Sequence, residues 1–187
     1  MTSNRHNRTA EDAVLDAARD CVLAVGVRRT TLTDVARRAG VSRMTLYRRW
    51  PDVRSLVGDL MTREWIAVAE QARQDDLVES LVEGVRRFRA HPLFQKIVDV
   101  DPELLLPYML DRRGASQEAL LEIITTALRD GHRDGTIGIR DPGRQARAVL
   151  LVVQSFALSL QTMTGDGLAD PELLAELRHI LTRALAP

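Results

Sequence analysis

Residues 43 to 49 read R-M-T-L-Y-R-R, a run of hydrogen-bond donors suited to a nucleic acid. Arg43, Met44 and Thr45 would occupy the first turn of a helix starting there. An arginine so placed can donate two parallel hydrogen bonds to guanine, and a threonine methyl can pack on thymine. Arg43 can equally hold a phosphate, and the sequence leaves both roles open. Tyr47 offers a hydroxyl to a phosphate and a ring to its own protein. Arg48 and Arg49 are adjacent and point in different directions, so one of them is expected to meet the DNA backbone. Leu46 and Trp50 read as core. Catalytic chemistry has no comparable foothold: there is no Ser-His-Asp set, no carboxylate pair with a nucleophile, and no HExxH or CxxC. His6, His91, His132 and His179 are scattered, without a second His or Cys at ligand spacing. The D-G-H-R-D-G-T stretch from Asp130 to Thr136 lacks the spacing of a calcium loop and sets an arginine in its middle. Neither an enzyme nor a bound metal or cofactor is expected.

Such a set of contacts needs a helix held out from a brace, and the preceding residues supply one. Thr31 and Asp34 form a [ST]-x-x-[DE] capping box that starts a helix. Val35, Ala36 and Ala39 give that helix an apolar face, and small Ala36 permits a close crossing. Gly40 ends it, because glycine takes the left-handed conformation of a helix stop. Val41 plugs the gap, and Ser42 is a good N-cap for the next helix, expected to run to about Arg49. This is helix-turn-helix logic, in which the first helix braces and the second enters the major groove N-terminus first.

The segment from Gly40 to Pro51, G-V-S-x-x-T-L-Y-x-x-W-P, resembles the recognition segment of the TetR family of bacterial transcriptional regulators, commonly A-G-V-S-x-x-x-L-Y-x-x-F. The resemblance covers the whole chain in length and layout, and its first third in residues. It implies a homodimer that binds a double-stranded DNA operator, with Tyr47 on a phosphate and Thr33 of the bracing helix within reach of DNA. The expected DNA-contacting set is Thr31, Thr33, Ser42, Arg43, Met44, Thr45, Tyr47, Arg48, Arg49 and Arg54. One departure matters: where the family has a phosphate-gripping lysine this chain has Val53, with Arg54 beside it and the unhelpful Asp52 nearby.

The rest of the chain agrees with an all-α protein. Of its 187 residues 45% are hydrophobic and only 4% aromatic, a composition that suits helices built on Leu, Ala and Val. Net charge is zero, yet residues 1–54 hold 11 Arg against 6 Asp or Glu (+5), leaving 15 basic and 20 acidic residues (−5) for 55–187. A basic head on an acidic body suggests that the head alone meets a polyanion. Residues 1–8 are polar and read as a mobile arm or an untidy terminus. Thr9 to Val25 has apolar residues at helical spacing and completes a three-helix head, residues 1–52. A long helix over about 53–73 links it to a body, residues 53–187. There, helices are expected over 77–91, 116–130, 142–163 and 171–185, with 93–111 broken by Pro102 and Pro107. The lone Cys21 lies on an apolar helix face and excludes an internal disulfide framework. No signal peptide and no run of about 18 apolar residues is apparent, so the cytoplasm is the expected location and no membrane partner is expected.

In the TetR family the body encloses a ligand cavity. Met61, Trp65, Phe88, Phe94, Tyr108, Met109 and Phe156 are candidates for its lining, though such residues are also ordinary core. Gln154, inside an apolar helix, is placed to orient a ligand or to join a dimer contact. Few charges fall among them, which implies a small apolar effector. The stretch A-V-L-L-V-V-Q-S-F-A-L-S-L is apolar almost all round, and a two-fold interface through the last two helices would bury it. The expected function is a repressor released by that effector. The alternative is a constitutive or protein-controlled regulator with a filled core.

Overall fold

Leu, Ala and Val at three- and four-residue steps, punctuated by Gly and Pro, give a chain made of helices. The computed structural model describes residues 2–110 and 113–187. In order they are α1 (Thr2–Val25), α2 (Leu32–Ala39), α3 (Arg43–Arg49), α4 (Val53–Gln71), α5 (Leu77–Ala90) and α6 (Pro92–Val100). A 3-10 turn (Pro102–Leu105), α7 (Leu106–Leu110), α8 (Ala115–Arg133), α9 (Pro142–Ser159), a second 3-10 turn (Leu160–Met163) and α10 (Asp170–Leu185) follow. Among the described residues the only β feature is an isolated bridge between Gly165 and Leu168.

Two compact units result. The first comprises Met1–Glu64 and His91–Ala115. α1 packs on both α2 and α6, and α2 packs on α3. Buried in this unit are Val14, Ala18 and Val22 of α1, Val35 of α2, Leu46 of α3, Leu56 and Leu60 of α4, and Leu93, Phe94 and Ile97 of α6. The unit thus reaches past Asp52, where the sequence suggested a break. The first half of α4 is tied to α1 by Arg63, whose Nη2 lies 2.9 Å from Asp16 Oδ1, and by Arg19, whose Nε lies 3.4 Å from Glu64. α4 runs unbroken through the Glu64–Trp65 boundary, and no Pro or Gly falls there to mark it in the sequence.

Two local expectations are revised. Residues 2–8 belong to α1, so the segment read as an arm has helical backbone. Residues 92–100 form a regular helix: the Pro92 ring suits its first turn, and His91 Nδ1 accepts the Leu93 N–H at 3.3 Å as its cap. A Pro directly after a capping His is a helix start that resembles a helix stop.

The second unit comprises Trp65–Ala90 and Ser116–Pro187. Its core joins Val78, Leu81, Val82 and Val85 of α5, Leu121, Ile124 and Leu128 of α8, Ala146, Val149, Leu150 and Ala157 of α9, and Leu177, Leu181 and Leu185 of α10. Pro142–Met163 does contain an 18-residue window apolar enough to cross a membrane by composition, contrary to the sequence reading. Only 28% of that window is buried, yet the same helix lends Ala146, Val149, Leu150 and Ala157 to the core.

One ion-pair cluster makes the second unit acid-sensitive. Glu83 accepts hydrogen bonds from Arg86 Nε and Nη2 and from Arg87 Nε, each at 2.6 Å. The Arg86 hydrogen bond, followed by that of Arg87, holds the Glu83 carboxyl down to about 2. A folded pKa below the unfolded one gives stability that is present above about 4.5 and lost as pH falls toward 2. Glu83→Gln is therefore expected to lose less stability than the wild type between about pH 6 and about pH 3, read by urea denaturation at each pH.

Candidate nucleic-acid interface

The interface is built from two caps and two anchors. Thr31 has extended backbone (φ −117°, ψ 149°) and its Oγ1 accepts the Asp34 N–H at 3.1 Å, starting α2. The same hydroxyl donates to Asp34 Oδ2 at 2.6 Å. Gly40 stops α2 at φ 66°, a left-handed conformation with no side chain to strain. Ser42 then starts α3, accepting the Thr45 N–H at 3.1 Å, with the Ser42 and Thr45 hydroxyls 2.8 Å apart. Leu46 is 1% exposed and Trp50 is buried, so both are anchors of the recognition helix, as their apolar character implied. Trp50 Nε1–H donates to Asp59 Oδ2 at 2.8 Å, which fixes the end of α3 on α4.

With those anchors inward, the opposite face stands free. Met44 is 79% exposed and Tyr47 48%, and Arg43, Thr45 and Arg48 are exposed beside them. Thr33 is half-buried on α2. Among the described residues no ion pair holds Arg43, Arg48 or Arg54. Arg49 is different. Its Nη2 lies 2.9 Å from Glu11 and 3.3 Å from Asp59, and its guanidinium sits 5.1 Å from the Trp50 ring centre. Arg49 therefore braces α3 against α1 and α4, while its neighbour Arg48 is exposed and enters no ion pair among the described residues. Nothing in the local pattern could distinguish the two, because both partners of Arg49 lie on other helices. Thr31 and Ser42 use their hydroxyls as caps that start α2 and α3.

At the start of α4 the family lysine position is the half-buried Val53, and Arg54 is exposed. Asp52 caps this helix, its Oδ1 accepting the Ser55 N–H at 2.7 Å. That bond, aided by the nearby Arg54 charge, holds the Asp52 carboxyl below the usual range, so a fixed negative charge sits beside Arg54. Tyr47→Phe removes one exposed hydroxyl and no core packing. It is expected to weaken all duplexes alike by about 0.5–1.5 kcal/mol, the worth of one hydrogen bond, measured by fluorescence anisotropy.

The residues expected to line a ligand cavity divide between the units. Met61 is half-buried, Phe94 is in the core and Met109 is exposed, all in the first unit; the Tyr108 side chain lies outside the described residues. In the second unit the Trp65 and Phe88 rings pack in a tilted pair, centroids 4.5 Å apart at 55°. Phe88 and Phe156 both pack on that unit's core. Gln154 Oε1 accepts the Gln117 side-chain N–H at 2.8 Å, joining α9 to α8. An open cavity of about 390 Å³ in the second unit is lined by Glu118, Leu121, Glu122, Thr125, Thr126, Arg129, Gly143 and Arg147, none of them in the expected set.

Similarity to known proteins agrees with this geometry. Residues 14–60 match the profile of bacterial regulatory proteins of the tetR family. An uncharacterized HTH-type transcriptional regulator of Mycobacterium bovis is 38% identical over 174 residues, 90% of each chain. The HTH-type transcriptional regulator AlkX of Mycobacterium tuberculosis is 31% identical, with 91% of this chain and 82% of that one covered. Among solved structures, the TetR family repressor AlkX from Dietzia sp., implicated in biodegradation of n-alkanes, superposes with a TM-score of 0.67 at 22% identity, over 92% of this chain and 93% of that one. The matched segment spans α2 and α3 with their caps and anchors, and the first of these relatives extends the likeness through both units: the chain belongs to the TetR family of bacterial transcriptional regulators.

Proposed function

We propose that the protein is a homodimeric, sequence-specific repressor that holds a palindromic operator through α3 and leaves it when a small apolar molecule binds. The observation that carries the DNA reading is the division of α3 and its C-cap into a buried edge, Leu46 with Trp50, and an exposed edge, Arg43, Met44, Thr45, Tyr47 and Arg48. In this reading the first unit docks on DNA, and the chain works in the cytoplasm as a regulator with no enzymatic activity. Two such heads fit successive major grooves about 34–36 Å apart.

The dimer is assigned to α9, its 3-10 extension and α10. Leu151 is 70% exposed, and Met163 and Ile180 are also exposed, on helices otherwise committed to the core. A second copy would bury that surface on itself. The apolar effector rests on the Trp65–Phe88 ring pair, on Phe88 and Phe156 packed against the core, and on the n-alkane connection of the similar Dietzia repressor. A release mechanism requires the effector to favour the state with mismatched heads. One observation favours the alternative, a regulator without an apolar effector: the 390 Å³ cavity is lined largely by charged and hydroxyl side chains.

The test is a footprint on a duplex selected from a randomised library, followed by titration with a medium-chain n-alkane. Two protomers per palindrome, displaced by the alkane, are expected. Binding that ignores the alkane while remaining palindromic would favour the alternative.

A further inference from the structure

Recognition by α3 leaves one buried charge in the first unit without a role. Asp101 is 1% exposed, at the junction of α6 and the 3-10 turn. Its Oδ2 accepts the Val27 N–H at 2.7 Å. Its Oδ1 faces Arg28 Nε at 3.8 Å, and Arg28 Nη2 lies 2.6 Å from Glu103. The Asp101 backbone is fixed too, with its N–H donating to Ile97 O at 2.9 Å and its carbonyl accepting from Leu104 at 3.0 Å.

The carboxylate is inserted into the turn that feeds the helix-turn-helix. Gly26 sits at φ +85°, and a Cβ there would come within 2.8 Å of Asp101 Oδ2. The buried Thr30 closes the turn, its Oγ1 donating to Gly26 O at 2.7 Å and its N–H to Val27 O at 3.1 Å. The next residue, Thr31, caps α2. Directed bonds therefore run from Asp101 to Val27, across the turn, and into the bracing helix. Burying a charge is costly, and an apolar plug would fill this space more cheaply. What the carboxylate adds is a fixed direction.

We propose that Asp101 is a positioning residue for operator recognition: it locks the 26–31 turn and so sets the angle at which α2, with α3 packed on it, meets DNA. The proposal rests on the sequence-specific DNA reading above. It also makes the segment from His91 to Glu103 part of the recognition machinery, although no residue there faces DNA in that reading.

The test uses the full chain, the duplex that the wild type selects from a randomised library, and a shuffled duplex of equal composition. Asp101→Ala is expected to weaken binding of the selected duplex by about tenfold, with the shuffled one unchanged because the arginines remain. Asp101→Asn, which keeps an oxygen acceptor for Val27, should recover most of the loss. A lowered melting temperature with both affinities unchanged would mean a merely structural role and would overturn the proposal. Should Asp101→Ala not fold, hydrogen exchange of the Val27 amide in the wild type decides. Protection is expected to rise with the selected duplex and not with the shuffled one; equal exchange overturns the proposal. A wild type that binds both duplexes equally removes the DNA reading itself, and the proposal with it.

Discussion

Leu151→Glu is expected to convert the protein to a monomer and to cost at least about a hundredfold in operator affinity. The residue is 70% exposed in the single chain, on the helix whose most apolar window is only 28% buried. Two-fold symmetry would place two glutamates against one apolar surface, burying unpaired charge at the price of several kcal/mol. The loss in DNA binding follows separately. A dimer presents its second head at a high effective concentration, and a monomer forfeits that gain, about 10²–10⁴ in affinity. Sedimentation at micromolar protein reads the first effect and anisotropy the second. Leu151→Glu that remains a dimer with wild-type affinity would move the interface away from this face of α9. Since Leu151 lies outside the cluster of core residues, the variant is expected to keep its helical circular dichroism.

The second large effect is Leu46→Ala. Leu46 is 1% exposed and is the single fully buried side chain of α3. Truncating such a leucine costs about 2–5 kcal/mol, which is a large share of the stability of a unit this size. The expected outcome is a low-temperature unfolding transition assigned to the first unit, loss of operator binding, and an unchanged transition for the second unit, whose core has no α3 residue. Calorimetry with tryptophan fluorescence separates the two, because Trp50 reports on the first unit and Trp65 on the second. A single wild-type transition would show that Leu46 does not hold the recognition helix.

How much of this the sequence disclosed follows from the range of each interaction. The caps at Thr31 and Ser42, the stop at Gly40 and the anchors Leu46 and Trp50 act within a few residues, and the motif reads them directly. The partners of Arg49 are remote: Glu11 is 38 residues away, so the sequence could not tell a brace from a contact. Asp101 was invisible for the same reason, since its hydrogen bond to Val27 spans 74 residues. The expected ligand lining is the least legible part. Composition shows which side chains are large and apolar, but Phe94 belongs to the first unit's core and Trp65 pairs with Phe88 in the second, an assignment made by packing alone.

The central claim is that the exposed edge of α3 reads a base sequence, and parallel selection from a randomised duplex library tests it most directly. The wild type is expected to select a palindrome with half-sites about one helical turn apart. Arg43→Ala, which changes an exposed residue with no ion pair among the described residues, is expected to select the same palindrome with one base pair per half-site relaxed, at a cost of about 1–3 kcal/mol. An identical consensus from both proteins, or none from the wild type, would contradict the account.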